Sequence, residues 1–380
     1  MAFSSKMKKT IMKEATKQRV LIGTSFELLP VCNLNCRMCY IRMDMEQVRQ
    51  NGGLKTYEEW IELAKKLREA GVLFLLLTGG EVFLYPHFRE LYEALYDMGF
   101  VITINTNGTL INEEIVQWLK QRLPKCVSIS LYGASDATYE ALCGRQGMFT
   151  RVDRAAKLLM ENGIRIEFKT ILSPLNAHDL EACWTYVRNM GVFYETDPYA
   201  FPPSRKLVEE QIVRFTPEET AECRFVNNRL TQSGEDYVRN IVGYLIKYEE
   251  TKNLPGNDLY GFTCGATRSS CWITWQGHMT PCAMLEAPYT LPFEQGFLPA
   301  WEELKRVCDE ILMSSDCSHC DKREVCTTCP AANFAESGSF QKKSEYHCRM
   351  TEKTLEDMYR MVDEWGIDLQ QIISRKEEKP

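Results

Sequence analysis

The hydrophobic pattern of residues 20–200 switches period again and again. Short apolar or alternating runs occupy Leu21–Leu28, Val72–Leu77, Val101–Thr106, Val127–Leu131, Ile164–Ile171 and Val192–Asp197. Between them, apolar residues recur every three or four positions over Thr56–Ala70, His87–Met98, Asn112–Lys120, Arg151–Asn162 and Ala177–Met190. The first pattern predicts strands and the second amphipathic helices. Gly71, Gly99, Gly163 and Gly191 stand where a left-handed helix C-cap is expected. Strand and helix in regular alternation predict an α/β fold of parallel units with right-handed crossovers. Six such units make an open sheet or an incomplete barrel, and the alternation alone does not choose.

The polar positions favour the barrel. Val127, Ile129 and Leu131 alternate with Ser128, Ser130 and Tyr132, and Ile166, Phe168 and Thr170 alternate with Arg165, Glu167 and Lys169. A parallel strand packed on both faces reads as apolar throughout. A polar face on one strand fits an edge facing solvent. On two successive strands it fits a lumen holding a polar ligand. The unusual residues also fall together. Cys32, Cys36 and Cys39 follow the first strand, Thr78-Gly79-Gly80-Glu81 the second, and Asn105-Thr106-Asn107-Gly108 closes the third. Each lies at a strand C-terminus, where α/β barrels place their sites. Gly79 and Gly80 lack a Cβ and permit close backbone approach. Glu81 adds a carboxylate suited to an ammonium group.

The spacing Cys-x3-Cys-x2-Cys lets three thiolates wrap one inorganic centre. A four-iron cluster with three protein ligands keeps one iron open for a substrate or cofactor. A zinc knuckle with a distant fourth ligand fits the triplet equally well. The chain has 380 residues and 16 cysteines, with no apolar run suited to secretion. Reduced cytosolic thiols in clusters point to metal or redox chemistry, in a low-oxygen or protected setting. With 44% apolar residues there is core for one large domain and a smaller one. A net charge of −7 gives no case for a nucleic-acid partner. The longest apolar run, Val72–Leu77, is too short for a membrane span. A cytoplasmic protein is expected, with Lys6–Arg19 as part of a solvated basic leader.

The segment Pro198–Arg205 is turn-rich and is read as the end of the barrel. Thr216-Pro217-Glu218-Glu219 is a helix start, and a helical bridge is expected to about Glu250, followed by a linker over Asn253–Asp258. Then come Cys264, Cys271, Cys282, Cys317, Cys320, Cys326, Cys329 and Cys348. Eight cysteines match two fully ligated four-iron clusters, or two four-cysteine zinc sites.

The triplet, Gly79-Gly80-Glu81 and the asparagine-rich end of the third strand together resemble the radical S-adenosylmethionine superfamily. Met38 stands where that family often has an aromatic residue, and Val82 where proline often follows Gly-Gly-Glu. The resemblance implies a partial (β/α)6 TIM-like barrel over residues 20–200. It implies a [4Fe-4S] cluster on Cys32, Cys36 and Cys39, whose open iron binds S-adenosylmethionine. One electron then cleaves the sulfonium, and a 5′-deoxyadenosyl radical takes hydrogen from the substrate. By the same resemblance Gly79, Gly80, Glu81, Asn105, Ser128, Ser130 and Arg145 contact the cofactor.

Residues 256–350 resemble the SPASM domain, a small cysteine-rich extension. That implies a cluster on Cys264, Cys271, Cys282 and Cys329, and another on Cys317, Cys320, Cys326 and Cys348, making three [4Fe-4S] clusters in all. The resulting organisation is a leader at 1–19, the barrel at 20–200, a helical bridge and linker at 201–255, the SPASM domain at 256–350, and a C-terminal helix with a charged tail at 351–380.

Among the remaining cysteines, Cys126, Cys183 and Cys308 read as core. Cys143 and Cys223 are candidate hydrogen donors, and Asp197 and Tyr199 lead a pool of acid–base candidates that includes Glu195, Arg165, Glu167 and Lys169. His278 and His347 flank cluster cysteines and are candidates for tuning a cluster. The implied activity is that of an oxidoreductase and peptide maturase. It acts on a ribosomally made peptide by thioether or carbon–carbon crosslinking, oxidation or epimerisation. The implied partners are a flavodoxin- or ferredoxin-type reductant and a separate leader-binding protein. Alternatives are an anaerobic sulfatase-type formylglycine maturase, a small-molecule dehydrogenase, and a non-enzymatic iron–sulfur or zinc scaffold or electron carrier.

Overall fold

The structure is a computed structural model that describes residues 5–203, 213–258 and 261–377. The last two residues of the Pro198–Arg205 segment lie outside these. In chain order the first elements are α1 (Ser5–Gln18), β1 (Gly23–Glu27), α2 (Met45–Gln50), α3 (Tyr57–Glu69), β2 (Phe74–Thr78), α4 (Phe88–Asp97) and β3 (Val101–Thr106). Then follow α5 (Glu113–Gln121), β4 (Cys126–Ser130), α6 (Asp136–Cys143), α7 (Met148–Glu161), β5 (Ile166–Ile171), α8 (Leu180–Met190) and β6 (Phe193–Asp197). The rest comprises α9 (Pro217–Thr231), α10 (Gly234–Thr251), β7 (Ser270–Ile273), β8 (Met279–Thr280), α11 (Phe297–Asp309), α12 (Ser315–Ser318), α13 (Pro330–Ser337), α14 (Glu345–Glu364) and α15 (Leu369–Glu377).

Two compact units result. The first contains residues 1–196, 202–213 and 262–310; the second contains 197–201, 214–261 and 311–380. In the first, one sheet runs in the order β6-β5-β4-β3-β2-β1-β7-β8. Strands β1 to β5 are parallel, β7 joins β1 in parallel, and β8 turns back antiparallel. This is the α/β partial barrel that the alternation and the polar faces predict. Register explains its two faces. Ser25 pairs with Leu76, Leu76 with Thr103 and Thr103 with Cys126; farther along, Asn105 pairs with Ser128 and Ser128 with Glu167. Directly paired residues share a face. The polar members of the alternating strands are therefore collected on one side. The other side takes Phe26, Leu77, Ile104, Val127, Ile129 and Phe168, all fully buried.

A cavity of about 480 Å³ opens on the polar face. Thr103, Asn105, Glu167 and Lys169 line it, as the alternation predicts. Cys126 lines it too, although it begins a buried strand. Lys169 lies 3.7 Å from Glu167 and 3.5 Å from Glu195. Trp272, opposite Ser25 in the register, donates its indole N–H to the buried Glu27 at 3.0 Å.

Several elements differ from the sequence-based expectation. Part of the basic leader is the helix α1, where Thr16 hydrogen-bonds with Ser269 at 2.7 Å and Ala15 is buried. Met7, Ile11, Met12 and Ala15 recur at helical spacing, a short stripe set among many charged residues. Strands β7 and β8 lie in the cysteine-rich stretch, yet they extend the barrel sheet. They are only four and two residues long, too short to show a period. The bridge to Glu250 is two helices. The first begins at the expected Thr216 capping box, and Ser233 caps the second by accepting from the Asp236 N–H.

In the second unit α14 packs on α9 and α10. Tyr346 donates to the Phe215 carbonyl at 2.9 Å and hydrogen-bonds with Thr220, fixing α14 to the start of α9.

The centre of the first unit is Trp60 on α3. It is fully buried, 4.5 Å from the Phe26 ring and 5.4 Å from Phe293. Removing a ring of this size from a core costs about 3–5 kcal/mol. Trp60→Ala should lower the urea midpoint accordingly, while Trp60→Phe, which keeps an aromatic ring, should cost less than half as much.

Candidate active site

The loop after β1 carries Cys32, Cys36 and Cys39. It is held from both sides by backbone. On one side, Gly80 donates to the Leu29 carbonyl at 2.7 Å and Glu81 to the Val31 carbonyl at 2.9 Å. A Cβ at Gly79 would stand 2.5 Å from the Leu29 oxygen, and one at Gly80 would stand 2.4 Å from the Val31 oxygen. Gly79 also has φ +155°. No other residue type permits this approach. On the other side, the Asn35 and Arg37 N–H groups donate to the Cys143 and Leu142 carbonyls at the end of α6, both at 2.9 Å. Arg42 closes the loop by donating to the Leu34 carbonyl at 2.9 Å.

Glu81 has no exposed surface. Its Oε1 accepts from Thr106 Oγ1 at 2.7 Å and from the Phe83 N–H at 3.3 Å, and its Oε2 accepts from the Asn107 N–H at 2.8 Å. A carboxylate offers about four acceptor positions, so three donors leave room for one more. Burial raises its pKa to about 7, against the lowering effect of these donors. Such a group gains from an additional cationic donor, because a positive partner lets it stay ionised without water.

The thiols are prepared as acceptors. Cys32 Sγ receives the Leu34 N–H at 3.4 Å and the Asn107 amide at 3.5 Å. Burial, with Glu81, Cys36 and Cys39 adding, pushes the Cys32 thiol up to about 12. Cys36 hydrogen-bonds with Cys143 and Tyr132, and its pKa is raised chiefly by Cys143 and by burial. Loading a cationic centre would therefore release protons from this loop. Among the described residues no three His, Cys, Asp or Glu side chains are grouped as around a single metal ion. A multi-atom cluster sets its thiolates farther apart than one ion does. Three thiols on one loop, one of them supplied with two N–H donors, beside a glycine cradle and a buried carboxylate, fit such a cluster.

The other expected site residues are distributed as follows. Asn105 lines the cavity and its Oδ1 is buried, with no hydrogen-bond partner in the structure. Ser128 is buried, and Ser130 is half-buried and pairs directly with Lys169 in the register. Arg145 is exposed on the loop between α6 and α7. Cys143 is fully buried beneath the cysteine loop, and Cys223 is buried on α9 in the second unit. Tyr199, also in the second unit, donates to Glu336 at 2.9 Å, and its N–H donates to Asp197 at 2.9 Å. Arg214 makes a two-point ion pair with the same Glu336 at 2.6 and 3.0 Å.

Six of the eight later cysteines have a donor facing sulfur. Cys264 accepts from the Ala266 N–H at 3.5 Å, and Cys271 shares a hydrogen bond with Thr24 at 3.2 Å. Cys282 lines the same cavity as these two. In the second unit Cys320 accepts from the Lys322 N–H at 3.4 Å, and Cys329 from the Ala332 N–H at 3.4 Å. Cys317 accepts from Asn333 at 3.7 Å and Cys326 from Thr351 at 3.5 Å. Cys348 sits close enough to Cys317 and Cys326 for their charges to raise its pKa to about 11, with burial the larger cause. His347 is buried on Ser344 at 2.8 Å, and His278 stacks on Tyr289 at 4.0 Å.

Residues 26–183 match the family described as the Radical SAM superfamily. These residues form a radical SAM domain. Radical SAM chemistry uses a [4Fe-4S] cluster and S-adenosylmethionine. Among curated proteins, the antilisterial bacteriocin subtilosin biosynthesis protein AlbA of Bacillus subtilis is 27% identical over 273 residues, 71% of this chain and 56% of AlbA. The match thus spans little more than half of AlbA. The AdoMet-dependent heme synthase of Methanosarcina barkeri is 23% identical over 336 residues, 85% of this chain and 95% of that protein. Among solved structures, Streptococcus suis SuiB bound to precursor peptide SuiA superposes with TM-score 0.63 at 17% identity, over 90% of this chain and 80% of SuiB. That superposition concerns the fold. No helix among the described residues is long and apolar enough to cross a membrane.

Two residues of the site, Asn107 and Tyr132, carry no assignment from sequence. The signal for Asn107 was available: Asn-x-Thr after a strand favours an Asx turn, which fixes the side chain.

Gly80→Ala would drive a methyl group into the Val31 carbonyl. It should displace the cysteine loop and lower the iron bound per chain after anaerobic reconstitution at least severalfold. Gly234→Ala, where a Cβ meets nothing within 4 Å, should leave iron unchanged.

Proposed function

We propose that this enzyme is a peptide maturase of the radical SAM/SPASM type. Its substrate is a ribosomally made peptide, in which it forms a thioether or carbon–carbon crosslink, or oxidises or epimerises a residue. The observation that carries the chemistry is the meeting, at the ends of β1, β2 and β3, of the cysteine loop, whose Cys32 sulfur accepts from the Leu34 and Asn107 N–H groups, with the buried Glu81 carboxylate. In this reading Cys32, Cys36 and Cys39 hold the cluster, and Glu81 orients the amino group of the bound cofactor with its remaining acceptor position. When bound, cluster and S-adenosylmethionine supply a 5′-deoxyadenosyl radical that takes a hydrogen atom from the substrate. Asn105, Ser128 and Ser130 orient the cofactor on the polar face of the sheet, with Arg145 at its carboxylate.

The peptide assignment is supported by AlbA, whose name places it in bacteriocin biosynthesis, and by SuiB, solved with a precursor peptide. The eight later cysteines, Cys264, Cys271, Cys282, Cys317, Cys320, Cys326, Cys329 and Cys348, serve as ligands of two auxiliary clusters. The donors directed at the sulfurs of Cys264, Cys271, Cys317, Cys320, Cys326 and Cys329 support that role, since hydrogen bonds to the charged form favour thiolate over thiol. Reducing equivalents come from a flavodoxin- or ferredoxin-type protein, and leader recognition from a separate protein.

A second reading has an observation of its own. The heme synthase match runs over nearly the whole of that protein. It favours oxidation of a tetrapyrrole side chain in place of a peptide. One experiment separates the two. The reconstituted enzyme is incubated with dithionite and S-adenosylmethionine, and 5′-deoxyadenosine is quantified with added cysteine-rich precursor peptides or with iron–coproporphyrin. Stimulation by peptide, with a mass change in the peptide, is the expected result. Stimulation by the porphyrin alone would replace the peptide reading, and no release under any condition would contradict both.

A further inference from the structure

Asn107 joins the two halves of the site. Its backbone N–H donates to Glu81 Oε2 at 2.8 Å. Its side-chain amino group donates to Cys32 Sγ at 3.5 Å and to Asn33 Oδ1 at 2.9 Å. Its Oδ1 accepts from the Thr109 N–H at 2.9 Å and from Thr109 Oγ1 at 2.6 Å. Thr109 Oγ1 in turn accepts from Asn33 Nδ2 at 2.8 Å, so the ring of contacts closes. The residue is only 5% exposed.

The amide orientation follows from chemistry. A backbone N–H can only donate, so the side-chain atom facing Thr109 N must be the oxygen. The amino group is then forced toward Cys32. Asn33 supports the same assignment, because its Oδ1 faces that amino group while its own amino group faces the Thr109 hydroxyl.

We propose that Asn107 is a positioning residue that tunes the cluster through Cys32 while fixing Glu81 on the cofactor side. The inference rests on the reading that Cys32, Cys36 and Cys39 hold a cluster. Hydrogen bonds to cluster sulfurs help set the reduction potential. An N–H aimed at a ligand sulfur favours the more negative, reduced state and so raises the potential. Because Asn107 also holds Glu81, the geometry of the cofactor's carboxylate partner and the electronic state of the cluster depend on one side chain and its own N–H.

The test uses the full-length reconstituted enzyme and compares the parent with Asn107→Ala and Asn107→Asp. Asn107→Ala removes the N–H to sulfur and keeps the backbone donor to Glu81. Asn107→Asp keeps the acceptor for Thr109 but turns an oxygen toward Cys32. The readout is the midpoint potential of the electron-paramagnetic-resonance signal that S-adenosylmethionine perturbs, with iron content and the metal-free melting midpoint measured alongside. A tenfold change in a one-electron equilibrium is about 59 mV. The expected result is a fall of about that size for Asn107→Ala and a larger fall for Asn107→Asp, at parental iron content.

Unchanged potentials in both variants would overturn the proposal. If a variant loses iron while its metal-free melting midpoint is unchanged, the loss supports positioning of Cys32. If iron and melting midpoint fall together, Asn107 is a structural residue and the proposal fails. A parent enzyme that binds no iron would instead overturn the cluster assignment itself.

Discussion

The buried carboxylate of Glu81 is the constraint on which the rest of the site depends. A carboxylate without water needs donors, and the fold supplies them from the end of β3 and from its own turn. To bring it there, the chain after β2 must pass against the chain after β1 more closely than any Cβ allows. Gly79 and Gly80 meet that need. The N–H groups of Gly80 and of Glu81 itself bond to the Leu29 and Val31 carbonyls and so fix the backbone that carries the three cysteines. One polar group thus sets the relative position of three loops at one end of the sheet.

The barrel turns this local arrangement into a chemical site. Its parallel strands place three successive loops side by side, and their register gathers polar side chains on one face. The apolar face does the opposite work, burying Phe26, Ile104, Ile129 and Phe168 so that the sheet is rigid. Rigidity matters because hydrogen bonds to sulfur and to a buried carboxylate are lost with small displacements. The sheet does not end with the alternating region. Strand β7 adds to β1, and Trp272 reaches from it to Glu27. A stretch of the cysteine-rich region therefore also extends the barrel sheet.

Much of this was legible in the sequence. β3 spans Val101–Thr106, the range its alternation predicts, and Gly71, Gly99, Gly163 and Gly191 all adopt positive φ after their helices. The cysteine loop, the glycine pair and Glu81 stand out because their chemistry is unusual and their place after successive strands is regular. What the sequence did not reveal depends on contacts between distant residues. β7 and β8 are too short to carry a period, and their pairing is decided by β1, more than two hundred residues earlier. α6 is only eight residues long, and the Ser135 cap is its main local signal. Cys143 looked like a thiol available to a substrate, yet the packing of α6 sets it against Cys36. The dual role of Asn107 needs the cysteine loop and Glu81 in three dimensions before it can be seen.

The central claim is that Cys32, Cys36 and Cys39 form a centre distinct in kind from those of the later cysteines, with an open position facing Glu81. The most direct measurement counts iron and sulfide in the anaerobically reconstituted enzyme and in a variant with all three cysteines changed to alanine. About twelve irons should fall to about eight, and the spectral response to S-adenosylmethionine should vanish with the four that are lost. Equal iron in both proteins, or a response that survives in the variant, would contradict the account.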